Sequence, residues 1–412
     1  MSVFKKKSWI LLLLILSGQL SCYPRPVSRS IMDAPIVRVR LLTSVKQVDL
    51  GFAEPPVLIT EGGKTQIKLG TLPGQTVRVA WTGQRWTINT TPAGTGVAQF
   101  IPTSDGSISV NGSAYRGQIR LVPTGAEEFD VVNDLDVESY LQGVLAKELF
   151  PDWHPEAYRA QAVIARTYAL YEVKTGPKDR HFDLHADERS QVYGGIAAET
   201  EKANQAVQST RGVVVAWGTT GQEKIFKAYF SSCCGGVSAS QGDAFKETTI
   251  PPLDAKYNGA TCSISSRYNW GPVTVTKSDL TQRFRNWGIR NRHPIASLQS
   301  LSGLEVATTN AFGRPRRFVV TDMNGQQYML SSEETRWAIN TPGATPLKGV
   351  TVFSGFFRTI DMGSNIQIVD GHGFGHGVGA CQWCMQARAL AGENFEQIVL
   401  KAYPQSKVLL AY

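Results

Sequence analysis

Asp136-Val137-Glu138-Ser139-Tyr140-Leu141-Gln142-Gly143-Val144-Leu145-Ala146-Lys147-Glu148-Leu149-Phe150-Pro151 reads as a helix that carries a carboxylate on its buried side. Apolar residues fall at Val137, Tyr140, Leu141, Val144, Leu145 and Leu149, the three-four spacing of one stripe. Asp136 stands where an N-cap belongs, Glu138 puts negative charge in the first turn, and Pro151 ends the run. Glu148 lies seven residues after Leu141 and four after Val144, so it shares the stripe. An ionised carboxylate there must find a partner or raise its pKa. A carboxyl that holds its proton near neutral pH is what a general acid requires. The same spacing also permits a helix-end glutamate whose stem packs while its head reaches water.

A second helix follows at once. His154-Pro155-Glu156 sets proline near the first helical position. Ala157, Ala160, Gln161, Ile164, Tyr168 and Tyr171 form one face, and Ala160, Ala162 and Ala165 keep the helix slim enough for close approach. Arg159 and Arg166 leave from other faces. Further on come Ser190-Gln191-Val192-Tyr193-Gly194-Gly195, a weaker helix around 200–209, and a hairpin from Gly212–Trp217 to Ile225–Phe230. That hairpin runs into Ser231-Ser232-Cys233-Cys234-Gly235-Gly236. Residues 273–345 read as a subdomain of short strands and helices, with Leu280–Trp287 helical. The glycine-rich Gly371-His372-Gly373-Phe374-Gly375-His376-Gly377-Val378-Gly379 precedes a helix over about 382–392 and an amphipathic tail.

Upstream, residues 36–122 read as β. Ile36–Leu42 alternates, Thr76–Trp81 and Arg85–Ile88 flank Thr82-Gly83-Gln84, and Asn111-Gly112 marks a tight turn between Ser107–Val110 and the strand at 117–122. The chain opens with Lys5-Lys6-Lys7, an apolar run from Trp9 to Leu16, and small residues up to Cys22. This is the pattern of a secretory signal, too short for a bilayer span of roughly 20 residues. Leu20-Ser21-Cys22 also fits a lipoprotein signal, so ordinary cleavage and a lipid anchor at Cys22 both stand. Either way the sequence predicts export to the periplasm or cell envelope, with contact to the membrane only through such an anchor. About 390 residues remain, enough for two or three domains. The net charge of +8 comes from scattered basic residues, dense only at Arg314-Pro315-Arg316-Arg317. It implies mild attraction to an anionic polymer or surface rather than a nucleic-acid footprint.

Several of these stretches resemble the SpoIID/LytB family, the stage II sporulation protein D and amidase-enhancer group. Its members show Leu-Glu-x-Tyr-Leu-x-Gly-Val-x-x-x-Glu, matched by Val137 through Glu148, with Val137 in place of Leu. Ala-Gln-Ala-x-x-Ala-Arg-Thr-Tyr-Ala is matched by Ala160–Ala169, and Ser-Gln-x-Tyr-Gly-Gly by Ser190–Gly195. Cys-Gly-Gly stands at Cys234–Gly236, and Gly-x-Gly-His-Gly-Val-Gly-x-x-Gln at Gly373–Gln382. The resemblance implies peptidoglycan chemistry. It makes Glu148 the catalytic acid of a lytic transglycosylase, cutting between muramic acid and glucosamine with closure of a 1,6-anhydro ring. Such chemistry needs no cofactor and no second catalytic carboxylate, so Asp183, Asp187 and Glu188 read as solvated loop charges. The amidase-enhancer branch implies the alternative, a non-catalytic protein that binds peptidoglycan glycan strands and stimulates a cell-wall amidase. The departure at Ala146-Lys147, where many members have Pro-Ser, favours that branch. Arg166, Tyr168, Gln191, Tyr193, His372, His376 and Gln382 are the candidate substrate contacts.

A serine or thiol hydrolase is disfavoured: Gly-x-Ser-x-Gly is absent, and Cys233 and Cys234 have no motif-linked base. Beyond Cys22 there are Cys233, Cys234, Cys262, Cys381 and Cys384, an odd number. Some family members have Cys-Gly-Gly-His and hold zinc, but Val237 stands at the histidine position here. Cys234, Cys262, Cys381 and Cys384 would make a four-thiolate zinc site if the fold gathered them. The sequence ranks disulfides or buried free thiols ahead of it, as befits an exported chain. The expected architecture is α+β. A signal occupies 1–22 and a β-rich module 34–125. The catalytic core spans 126–272 and 346–412, with an inserted subdomain at 273–345.

Overall fold

The computed structural model describes residues 33–61, 66–68, 76–103, 106–343 and 351–412; the expected signal and Cys22 lie outside them. Helices and several sheets are mixed, an α+β fold. The N-terminal strands make two sheets. The larger has the order Leu184–His185, Ile36–Val45, Phe129–Asp136, Gln118–Pro123, Ala98–Ile101, Val57–Ile59 and Gln66–Lys68. The smaller runs Ser113–Tyr115, Ile108–Val110, Gln47–Phe52, Thr76–Trp81, Trp86–Ile88 and Thr91–Pro92. Val48, Leu50, Val79, Phe100, Leu121 and Phe129, one face of each alternating strand, share a single core. Asn111 and Gly112 both take positive φ, 49° and 88°, as a tight hairpin turn demands. The strand that leaves this turn is Ser113–Tyr115, not the one at 117–122, which pairs in the other sheet.

The larger sheet does not stop at residue 125. Phe129–Asp136 pairs with Ile36–Val45 on one side and Gln118–Pro123 on the other, then passes straight into helix α1 (Val137–Glu148). Asp136 ends the strand and caps the helix: its Oδ1 accepts from the backbone N–H of Glu138 and Ser139 at 3.1 and 3.0 Å. The next helices are α2 (Pro155–Thr175), α3 (Glu201–Ser209) and the short α4 (Gln241–Phe245). After them come α5 (Lys277–Asn291), α6 (Ser332–Asn340), α7 (Gln382–Leu390) and α8 (Phe395–Ala402).

The sequence assigned α2 one apolar face. In the structure every residue from Ala160 to Leu170 is buried, because α1, α3, α7, α8 and the strand Val213–Trp217 surround it. The alanines expected to keep the helix slim let these elements close in. The expected second strand of the 212–230 hairpin is shorter than the apolar run. Only Lys224–Ile225 pairs with Val213–Trp217, whose other edge is taken by Lys407–Leu410. Phe230–Ser231 instead runs parallel to Ala380–Cys381. A separate core gathers α5, α6 and the strands Val273–Thr276, Leu301–Thr309, Pro315–Asp322, Gln327–Ser331 and Asn365–Val369. It extends from Trp270 to Ile368, beyond the 273–345 read from sequence.

Arg166, expected at the substrate, lies at the centre of the α1–α2 packing with no exposed side-chain surface. Its Nε and Nη2 donate to the two carboxylate oxygens of Glu138 at 2.9 and 2.6 Å, and Nη1 donates to the Val213 carbonyl at 3.0 Å. Glu138 also accepts from the Gly212 N–H at 3.0 Å and from the Tyr412 hydroxyl. Removing one member of a buried pair strands the other charge and costs roughly 3–5 kcal/mol. Arg166→Met is therefore expected to lower the unfolding free energy by about that amount in denaturant titrations. A loss within experimental error would show that the pair does not hold the helices.

Candidate functional site

The C-terminal turn of α1 delivers Glu148 to a cleft of about 750 Å³, within the usual range for ligand sites. Tyr168 of α2, Lys227, Trp337 of α6, Phe374 and Gln382 line it with Glu148. The Val192 N–H donates to Glu148 Oε1 at 3.2 Å. Gln382, the first residue of α7, donates from Nε2 to the Glu148 carbonyl at 3.2 Å and to Oε2 at 3.4 Å. Burial raises the pKa of Glu148; these two hydrogen bonds oppose the shift and neighbouring Glu188 adds to it. The carboxyl thus has donors to orient it and a reason to keep its proton longer than an exposed glutamate.

Around it the cleft is both charged and aromatic. Lys227 pairs with Glu172 at 2.9 Å and lies near the rings of Tyr168 and Tyr229, at 5.6 and 5.2 Å. Trp337 and Phe374 remain 43% and 41% exposed, and so offer ring faces to a ligand in the cleft. Glu188 is exposed on the same cleft. Asp183 and Asp187 are engaged elsewhere, with Arg38 and Arg189. Glu188 is thus the solvated loop charge expected from the sequence and also a second carboxylate on the cleft, whereas Asp183, read as solvated too, is buried against Arg38.

The other expected contacts divide. Tyr168, His376 and Gln382 lie on the cleft. His376 Nδ1 accepts from the Val378 N–H at 3.0 Å, its ring packs against Phe245, and burial pushes its pKa down to about 4. It is a neutral imidazole that braces the glycine-rich loop. Gln191 and Tyr193 stand behind the cleft instead. Tyr140 donates its hydroxyl to Gln191 Oε1 at 3.1 Å, and Tyr193 donates to Asn133 Oδ1 at 2.9 Å. Tyr193 packs so tightly on α1 that a Cβ at Gly143 would come within 2.6 Å of its ring. Both are nearly inaccessible, so they set the pose of α1 rather than meet a ligand. His372 packs against Phe356 with the rings tilted by 46° and lines a different cavity of about 430 Å³.

Residues 125–217 match the family model described as SpoIID, stage II sporulation protein. An uncharacterized protein of Brachyspira hyodysenteriae is 30% identical over 303 residues, which make up 73% of this chain and 73% of that protein. The chain belongs to the SpoIID family. The amidase enhancer of Bacillus subtilis is 25% identical over 290 residues, 64% of this chain but only 39% of that protein's length. An uncharacterized protein of Chlamydia muridarum is 28% identical over 185 residues, 42% of this chain and 60% of that one. The SpoIID match contains Glu148, Tyr168 and Val192, while Gln382 reaches the carboxyl from far beyond it.

The glycine-rich loop beside this SpoIID segment approaches its neighbour closely: Gly373 has φ 76°, and a Cβ there would fall 2.5 Å from the Cys233 carbonyl. The same approach brings the cysteines together. Of the two arrangements the sequence ranked first, disulfides and buried free thiols, the structure has the second: Cys233, Cys234, Cys262, Cys381 and Cys384 are buried free thiols. The Sγ atoms of Cys234, Cys262, Cys381 and Cys384 all lie within 4.8 Å of one another.

Because folding raises the pKa of Glu148, its ionised form opposes the fold. Its contribution is most favourable below the ordinary value of 4.5 and is lost as pH rises through the folded value. Glu148→Gln has no such loss. Relative to the native protein, the variant should gain stability between acid and neutral pH, read as paired denaturant midpoints across that range. A difference independent of pH would refute the raised pKa.

Proposed function

We propose that this protein is an exported peptidoglycan lytic transglycosylase in which Glu148 serves as both general acid and general base. The observation that carries the reading is the half-buried Glu148 carboxyl, raised in pKa by burial and held by Val192 and Gln382 on a cleft with exposed aromatic faces. The N-terminal signal pattern supports export. Among the described residues no helix is long and apolar enough to cross a membrane.

In the first half-reaction, the Glu148 O–H gives its proton to the oxygen linking muramic acid to glucosamine. The bond to the muramoyl C1 breaks as oxocarbenium character develops there. The resulting carboxylate then takes the proton of the muramoyl C6 hydroxyl, whose oxygen bonds to C1 and closes the 1,6-anhydro ring. One carboxyl returns to its starting state, no water is consumed, and no cofactor is needed. Trp337 and Phe374 would stack on sugar rings, and Lys227 would meet anionic groups of the strand. In the competing hydrolysis, where a second carboxylate activates water, Glu188 would be the candidate, since it lines the same cleft.

Digestion of purified glycan strands followed by mass spectrometry tests the proposal. The products should end in 1,6-anhydromuramic acid, lighter by one water than reducing ends. Glu148→Gln should cut roughly 10²–10⁴-fold more slowly while still binding strands. Reducing ends would make the protein a hydrolase, and unchanged cleavage by Glu148→Gln would remove that residue from the chemistry. A second reading, a glycan-binding enhancer of an amidase, is favoured by the similarity to the protein named amidase enhancer and by Ala146-Lys147. It would prevail if neither form cuts strands yet both accelerate an added cell-wall amidase.

A further inference from the structure

We infer that Cys234, Cys262, Cys381 and Cys384 bind a single zinc ion as a four-thiolate structural site. A tetrahedral zinc site with Zn–S bonds of about 2.3 Å has S···S edges of about 3.8 Å. Cys234 Sγ is 3.7 Å from Cys262 Sγ and 3.9 Å from Cys384 Sγ, and all four sulfurs fall within 4.8 Å of one another. Space of that size admits one ion; an iron–sulfur cluster interposes several metal atoms between its thiolates. Four ligands and one bystander also account for the odd number of thiols, since Cys233 lies outside the set.

The surroundings are those of a built site. Cys234 follows the strand Phe230–Ser231, Cys262 comes from a loop, and Cys381 and Cys384 bracket the first turn of α7. A helix N-terminus favours thiolate. Cys381 Sγ accepts from the N–H groups of Cys234 and Cys384 at 3.3 and 3.4 Å, and Asn258 Nδ2 donates to Cys234 Sγ at 3.4 Å. Such donors orient metal-bound sulfur and spread its charge.

Charge supplies an independent argument. Zinc with four thiolates carries a net charge of −2. Buried Arg314 and half-buried Lys256 lie beside the cluster, and neither has an ion pair to a described carboxylate. Arg314, fully buried, donates only to the carbonyls of Cys234, Val237 and His376, at 3.0, 2.9 and 3.1 Å. Lys256 Nζ donates to the carbonyls of Gly379 and Ala402 at 3.0 and 2.7 Å and borders a small cavity with Cys381 and Cys384. Charges withdrawn from water need a counter-charge; a dianionic metal centre supplies one for Lys256 and adds to the field of buried Glu333 at Arg314. Bound zinc would fasten α7 to the segment after Ser231, and so fix Gln382.

The test is elemental analysis of the full chain purified without chelators. One zinc per chain is expected, released in full by a thiol-blocking mercurial. Cobalt substitution should give the thiolate charge-transfer and intense visible bands of a tetrahedral sulfur site. Cys384→Ser and Cys262→Ser should lose most of the zinc, whereas Cys233→Ser should keep it all. If the first two variants do not fold, the native zinc content, the cobalt spectrum and Cys233→Ser still decide. Metal-free protein with these cysteines in disulfides, iron at one or more per chain, or zinc loss from Cys233→Ser would each overturn the assignment.

Discussion

The buried pair between Arg166 and Glu138 is the constraint on which the rest of the site depends. A guanidinium and a carboxylate far from water are tolerable only when nearly every donor and acceptor is used. Here the guanidinium reaches Glu138 and backbone carbonyls, and the carboxylate also draws in Gly212 and Tyr412. One interaction thus ties the first turn of α1 to the middle of α2, to the start of the strand Val213–Trp217 and to Tyr412 beyond the strand Lys407–Leu410. The far end of α1, about 15 Å away by helical rise, carries Glu148. Fixing one end of a stiff rod fixes the other.

From that frame the cleft acquires walls of different origin. The pose of α1 is set from behind by buried hydroxyl bonds, Tyr140 to Gln191 and Tyr193 to Asn133. Its front is closed by the glycine-rich loop and by α7, which presents Gln382. Trp337 projects from α6, whose Ala338 and Ile339 belong to the separate core, so one wall of the site rests on residues that have no part in holding Glu148. Structural support and cleft lining therefore fall to different residues, even within the stretch Ser190–Gly195, where Val192 faces the cleft and Gln191 and Tyr193 are buried behind it.

Helical spacing was enough to locate α1, its cap and the odd position of Glu148, because these depend on neighbours within a few turns. The α+β class and the Asn111-Gly112 turn were legible for the same reason. Arg166 was misplaced because its partner is 28 residues away on another helix, and nothing in the sequence pairs them. Gln191 and Tyr193 looked like ligand residues because polar and aromatic groups on a loop resemble a binding surface until burial is known. The strand expected at 225–230 broke because Phe230–Ser231 finds a partner at Ala380–Cys381, a pairing without local signature. Trp337 and Lys227 carried no signal, since facing a cleft is a property of the assembled cores. The gathering of four cysteines likewise depends on the separate approach of three segments.

The bond from Gln382 to Glu148 spans 234 residues of sequence. A chain emerging from its N-terminus during synthesis therefore exposes the acid-bearing helix long before the helix that completes its surroundings arrives. The strand Lys407–Leu410, which flanks Val213–Trp217, arrives later still. Contacts of such long range form slowly and late in folding. The carboxyl would be set in its final environment only after the distal segments have docked, so the surroundings of the acid stay unfinished until the last stretch of the chain has folded.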